Sequence, residues 1–482
     1  MGNLAKLEPQ KVFQYFEELN QIPRGTYNTK KVSDYLKAFA KSNGLEYYQD
    51  EVNDIIIKKP GSLGYENSEP IIIQGHMDMV CEKTSDSLHD FLNDPIEMFV
   101  EDGFVKARDT TLGADNGIAI AYAMAILSDD TLSHPPLEVM ITVDEEVGMT
   151  GASSVDLTLL KGKNLINLDT DEEGTLIAGC AGGFRGAVHI PIVREQKTGT
   201  PITIYIKGLL GGHSGGEIHK QRGNAHKMMG RLLLNLSHEL NYLLIDWNGG
   251  SADNVIPSAC ITNILIPTDE LPQFETYLET IIQVWKLEFD LDEPDFIVSY
   301  ESRPETSLNV ISEQTTKSAV FFIACTPNGV QCYSRQLPGL VETSINLGVV
   351  KTMEETLEIW FMGRSLIDSK KIELTNTLIA FANTIGAAID IVNDYPGWMY
   401  KTDSVFRQVV IDSFKKYYQK EPLVTTVHAG LECGILSGRK PDLDCISFGP
   451  IMYDIHSTNE RLDIASTKRT YEFLLEILKA CQ

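Results

Sequence analysis

Two histidines and several carboxylates, far apart in the chain, are the residue types that hold divalent cations. The first group is the run Ile71-Ile-Ile-Gln-Gly-His76-Met77-Asp78. Side chains two apart on a strand share a face. A metal-binding imidazole commonly gives its second N–H to a carboxylate, which fixes its tautomer. Asp78 suits that role toward His76, though both residues also fit a solvated strand end. The second group is Thr111-Leu-Gly-Ala-Asp115-Asn116-Gly117, opening an apolar helix. Asp115 there reads as an ordinary N-cap, or as a carboxylate held so that its two oxygens bridge two metals. The third, Val143-Asp144-Glu145-Glu146-Val147-Gly148, crowds acidic groups at the end of an apolar run. Like charges held together destabilise one another, and a cation relieves them. One glutamate can then bind metal while its neighbour serves as base; an acidic surface loop is the plain alternative. The fourth places Asp169 directly after a strand, with Asp171 as the fallback ligand. The fifth brings a late histidine, His456, which a surface imidazole would also explain.

Mixed imidazole and carboxylate ligands suit zinc, with manganese or cobalt as alternatives. Zinc lowers the pKa of the water it binds to near 7, and a nearby glutamate can take that proton and pass it to a leaving amine. The prediction is geometric: side chains between positions 76 and 456 must converge on a pair of cations.

The elements that would position these groups alternate. Leu7, Val12, Phe13, Phe16 and Leu19 fall on one helical face, and a second helix is expected over residues 30–42. Short apolar runs at 54–58, 70–74, 137–143 and 165–168 read as buried strands, and residues 117–127 as a buried helix. That alternation predicts an α/β domain with a mixed, mostly parallel sheet flanked by helices, whose ligands gather at the carboxyl ends of the strands. The character changes near residues 182–185. Strands are expected around 187 and at 202–206, 259–266 and 295–299, with a helix near 223–242. Runs at 318–322 and 357–361 read as strands repeating this order before a helix at 370–385, which suggests βαβ-type half-units. The last part carries a helix at 405–417, a strand at 444–447 and a helix at 468–479. The expected division is residues 1–184 plus 396–482 as a catalytic metal-binding domain, with 185–395 inserted as an α+β lid domain.

Length and composition bound the function classes. At about 150 residues per domain, 482 residues suggest roughly two to four domains. Hydrophobic residues at 43% and charged residues at 22% are those of a globular protein with a large core. The net charge of -26, with no long Lys/Arg run, argues against nucleic acid as a partner. The eight cysteines form no CxxC pair, so free thiols in a reducing compartment are expected. No apolar stretch is long enough to span a membrane, and the N-terminal residues lack a secretory core. Lys6 stands where a myristoylation signal needs Ser or Thr. A cytoplasmic location follows as the expectation.

Taken in order, GHMDMV, TLGADNG, VDEEVG, LDTDEEG and a late His resemble the zinc exopeptidase family of aminoacylases and carnosinases. GGHSGG, RGNAHK and NGGSADNVIPSA are similar to that family's lid-domain motifs. The resemblance covers nearly the whole chain, and its details look closest to the aminoacyl-histidine dipeptidases. It implies two Zn2+ ions (Co2+ or Mn2+ as alternatives), one held by His76 and Asp169, the other by Glu146 and His456, with Asp115 bridging. It implies Glu145 as general base and Asp78 as the orienting carboxylate. His213 would stabilise the oxyanion in the partner subunit's site, and Asn254 and Arg364 would hold the substrate's carboxylate. His219 and His226 lie nearby; a helix position gives His226 a structural explanation. In other branches of the family an acidic stretch follows the late histidine, whereas here Ser457, Thr458 and Asn459 precede Glu460. The implied activity is hydrolysis of dipeptides, aminoacyl-histidines such as β-alanyl-histidine first, by a homodimer joined through the lid. A related aminopeptidase, tripeptidase or aminoacylase-type amidohydrolase is the alternative. A catalytically dead scaffold of the same fold would have lost a ligand or the base, and all are present here.

Overall fold

The computed structural model describes residues 4–289 and 292–482. Gly2, on which a myristoylation signal turns, lies outside the described residues. The chain forms two compact units. The first comprises the described residues through Cys180 with Trp398–Thr426 and Leu431–Gln482; the second comprises Ala181–Gly397 with Val427–Gly430.

The first unit is built on an eight-stranded sheet ordered Glu46–Gln49, Ile55–Lys59, Leu137–Thr142, Ile71–His76, Asn164–Asn167, Asp444–Ser447, Thr175–Cys180, Leu423–Val427. Its middle four strands are mutually parallel. Antiparallel pairing flanks them on both sides. The parallel strands are the near-continuous apolar runs, because a strand covered on both faces has no solvent side to mark with polar residues. Ile71–His76 and Leu137–Thr142 are buried at every position. The helix Ala114–Leu127 packs on the sheet and is buried almost all round. The helices Gln10–Leu19, Val405–Tyr418 and Ile464–Ala480 add apolar faces to the same core.

The second unit carries a ten-stranded sheet. Its strand pairs are antiparallel, from Ile297–Ser302 with Arg194–Lys207 at one side to Gly182–Pro191 with Ala388–Tyr395 at the other. The expected βαβ half-units are therefore corrected. Val341–Thr352 and Thr356–Ser365 are joined by a tight connection, which only antiparallel neighbours can use. The expected strand at 318–322 is also corrected: it lies inside the helix Glu313–Cys325. Ser312 caps that helix by accepting from the Thr315 N–H, and Thr315, Ala319, Val320, Phe322 and Ile323 are buried along it. A short apolar run does not by itself separate strand from helix. The helix Leu271–Phe289 is not among the expected elements, although Phe274, Leu278, Ile281 and Trp285 carry helical spacing and are its buried residues. These helices, with Ala225–Leu236 and Asp368–Thr384, share one apolar core with the sheet. Among the described residues no helix is long and apolar enough to cross a membrane. The eight cysteines are free thiols.

Candidate metal centre

Parallel pairing brings three strand ends to one edge of the first unit's sheet. His76 is the last residue of its strand and pairs in register with Thr142; Gln74 pairs with Asn167. The chain then needs only a few residues to deliver Asp78, Glu145, Glu146 and Asp169 to that edge. Glu145 and Glu146 sit in a single tight turn, Glu145–Val147. The Asp78 carboxylate holds this turn, accepting from the Glu145 N–H at 3.1 Å and the Glu146 N–H at 3.4 Å. The Thr26 hydroxyl donates to it at 2.9 Å.

Asp115 is not the N-cap that its position suggests. Gly113 takes that place with φ 71°, a conformation suited to glycine, and no side chain caps it. Asp115 and Asn116 depart from helical backbone angles. The capping is done from the far end of the chain. The buried Glu460 carboxylate accepts from the N–H groups of Leu112 (2.7 Å), Gly113 (3.0 Å), Ala114 (2.8 Å) and Asp115 (3.4 Å). Asn116 ties two strand ends together: its oxygen accepts from the His76 N–H at 3.2 Å and its amide donates to the Leu168 carbonyl at 2.7 Å. Buried Arg24 donates to the Met77 carbonyl at 3.1 Å and to the Gly113 carbonyl. Sequence reasoning selects neither Arg24 nor Asn116, and it quotes Glu460 without a role.

The side chains so placed form two groups sharing one carboxylate. His76 Nε2 lies 3.2 Å from Asp115 Oδ1 and 3.6 Å from Asp169 Oδ1. His456 Nε2 lies 3.1 Å from Asp115 Oδ2 and 3.1 Å from Glu146 Oε2. Ligand atoms of His76, Asp115 and Glu146 all fall within 4.8 Å of one another. His76 Nδ1 is 3.3 Å from Asp78 Oδ1. Asp171, the fallback, is exposed. Asp169 rather than Asp171 approaches His76.

The electrostatics show what this packing demands. Burial would lower His76, but Asp169, Asp115 and Asp78 around it raise it well above the ordinary imidazole value. Hydrogen bonds to Asp115 and Glu146 push His456 up to about 11. Burial raises Glu145, Glu146 and Asp169. The raised imidazoles and raised carboxyls mark one buried site crowded with acidic groups. Divalent ions would take the place of the protons held there. Glu146 Oε1 is buried with no hydrogen-bond partner, which is the condition of a ligand atom rather than of a structural one. The donor set and this orphaned oxygen fit two divalent cations. Behind the strand ends lies a further carboxyl that the sequence does not single out. Glu432 is fully buried, and burial pushes it up to about 7.

The other expected residues belong to the second unit. His213 is on the short strand Gly212–His213, paired with Val255–Ile256, and its Nδ1 accepts from the Gly216 N–H at 3.2 Å. Burial and Arg364 lower its pKa. A Cβ at Gly215 would stand 2.8 Å from the His213 ring and 3.1 Å from the His428 carbonyl, so glycine is needed there. Asn254 accepts the Ser214 N–H at its carbonyl (2.8 Å). Arg364 is buried; it donates to the Tyr395 hydroxyl at 3.2 Å, and its Nε has no partner. His226 is fully buried and accepts from the Trp247 indole at 3.1 Å.

The model of Peptidase family M20/M25/M40 matches residues 72–480. This chain belongs to that family. As an M20/M25/M40 peptidase it is 36% identical over 481 residues to the cytosol non-specific dipeptidase of Escherichia coli (strain K12), covering 99% of each. The crystal structure of aminoacylhistidine dipeptidase from Vibrio alginolyticus matches the peptidase with a TM-score of 0.92 at 34% identity, covering 99% of this chain and 98% of that one. Aminopeptidase PepT from Bacillus cereus shares the fold, with a TM-score of 0.57 at 15% identity over 98% of this chain and 99% of that one.

Proposed function

We propose that this peptidase is a dipeptidase working with two divalent cations, Zn2+ first, with Co2+ or Mn2+ as alternatives. His76 and Asp169 would hold one, Glu146 and His456 the other, and Asp115 would bridge. The observation that carries this reading is the division of one carboxylate between two imidazoles, each with its own second carboxylate. When bound, the cations would supply Lewis acidity toward water and the peptide carbonyl.

The chain's own groups take the remaining roles. Glu145 accepts a proton from the attacking water and passes it to the leaving amine. Asp78 orients His76 and braces the turn that carries Glu145 and Glu146. Arg364 and Asn254 bind the substrate's carboxylate, and His213 stabilises the developing oxyanion from the partner subunit of a homodimer joined through the second unit. We assign residues 1–184 and 396–482 to catalysis and 185–395 to a lid. A cytoplasmic location is supported by the name of the Escherichia coli relative.

Aminoacyl-histidines such as β-alanyl-histidine are the proposed preferred substrates, supported by the likeness to the Vibrio alginolyticus enzyme. The Escherichia coli relative, named as non-specific, favours a broader dipeptide range as the second reading. The test is purified protein with Zn2+, assayed on β-alanyl-histidine, other dipeptides, a tripeptide and an N-acyl amino acid. Release of histidine fastest from β-alanyl-histidine is expected. Equal rates across dipeptides would establish the broader reading, and hydrolysis of only the tripeptide or acyl amino acid would overturn the dipeptidase assignment.

A further inference from the structure

Glu432 lies at the start of the helix Glu432–Arg439 and is completely buried. Its Oε2 accepts from the Thr142 hydroxyl at 2.7 Å and from the Gln74 amide. Gln74 in turn accepts from the Asn167 amide at 2.6 Å. These partners stand on three adjacent parallel strands. Gln74 is two residues before His76 on one strand and so shares its face, and Asn167 ends the strand that leads to Asp169. Thr142 is the register partner of His76 and ends the strand that leads to Glu145. The chain of bonds therefore runs behind the cation site, one step inward from its ligands.

Stability alone gives a poor reason for a carboxyl here. The second oxygen of Glu432, Oε1, is buried with no partner. An unpaired buried acceptor costs free energy, and a buried negative charge costs more. A neutral amide of the same shape would keep the acceptor for Thr142 and Gln74 without the charge.

Resting on the two-cation reading above, we infer that Glu432 is a positioning residue that strengthens the cation site by fixing the ends of its three ligand-bearing strands and by adding negative charge behind them. It touches neither substrate nor cation. Its removal should weaken cation binding while relieving the metal-free fold, two effects of opposite sign that a merely structural residue would not produce.

The experiment uses the full chain, stripped of metal and titrated with Zn2+ alone against a chromophoric chelator, with thermal unfolding of the metal-free protein in parallel. Glu432→Gln is expected to bind Zn2+ roughly 10- to 100-fold more weakly, with a metal-free unfolding midpoint equal to or above that of the wild type. Thr142→Val, which leaves the carboxyl but removes a donor, should weaken binding by several-fold, and Thr142→Ser should restore it. Wild-type affinity in Glu432→Gln, or a lowered metal-free midpoint, would overturn the inference while leaving the two-cation reading intact. Equal affinity in Thr142→Val and Thr142→Ser would overturn the positioning role. Failure of the wild type to take up Zn2+ would overturn both readings.

Discussion

Asp115 and His456 are 341 residues apart in the chain, and Asp115 Oδ2 stands 3.1 Å from His456 Nε2. The other oxygen of the same carboxylate faces His76. Asp115 thus faces both imidazoles of the site. Asp115→Ala should therefore abolish uptake of both ions together rather than of one. Metal content by elemental analysis of the folded variant checks this; retention of one tightly held ion would remove the bridging role.

Among the described residues Glu145 forms no ion pair with either imidazole, unlike Glu146, which pairs with His456. Glu145→Gln should keep the cations within about threefold of wild-type affinity while kcat falls by roughly 100- to 10,000-fold, the usual range for a general base. Zn2+ titration and steady-state kinetics on one preparation separate the two effects. Turnover that survives the substitution would discard the base.

The Glu460 carboxylate gathers the backbone N–H groups that begin the Asp115 helix. Glu460→Ala strands these donors in a buried place. A loss of about 3 kcal/mol or more is expected in urea denaturation, along with loss of the cation site, because Asp115 is no longer held. A neutral effect on stability would mean that other groups replace the cap.

His226 gives a pH dependence of known sign. Burial pushes its imidazole down to about 4 from 6.5. Between those values the unfolded chain binds a proton that the folded chain does not. Stability is lost as pH falls through the window from 6.5 to 4, by about 3 kcal/mol in full. His226→Gln keeps an acceptor for the Trp247 indole without the titration. Its urea midpoint should fall less than that of the wild type between pH 7 and pH 4.5; parallel curves would contradict the assignment.

Arg364 is buried with an unpaired Nε. If it clasps the substrate's carboxylate, Arg364→Lys loses the planar fork and should raise KM roughly tenfold or more with kcat little changed. A fall in kcat alone would place it elsewhere in the reaction.

What the sequence makes legible here follows from how far each signal reaches. The strands at 71–76 and 137–142 are readable because covered parallel strands are mostly apolar, and the acidic groups just past them are readable because their crowding is local. Residues 318–322 misread because the four apolar residues at 319–322 look alike in strand and helix, while the Ser312 cap that decides the matter lies outside the run. Glu432 and Arg24 give no local sign. Glu432 meets Thr142 across 290 residues and Gln74 across 358, and nothing in their neighbourhoods announces the meeting. Asp115 misled in one respect: a helix-start aspartate caps its own helix in most settings, whereas here Glu460, 345 residues on, does that work.

The dependence of Asp115 on Glu460 sets a timetable for biosynthesis. While the ribosome has yet to release the segment that carries His456 and Glu460, an emerging chain holds its early carboxylates without their cap and without the second imidazole. On the two-cation reading, the site cannot be complete until residues 456–460 have been made.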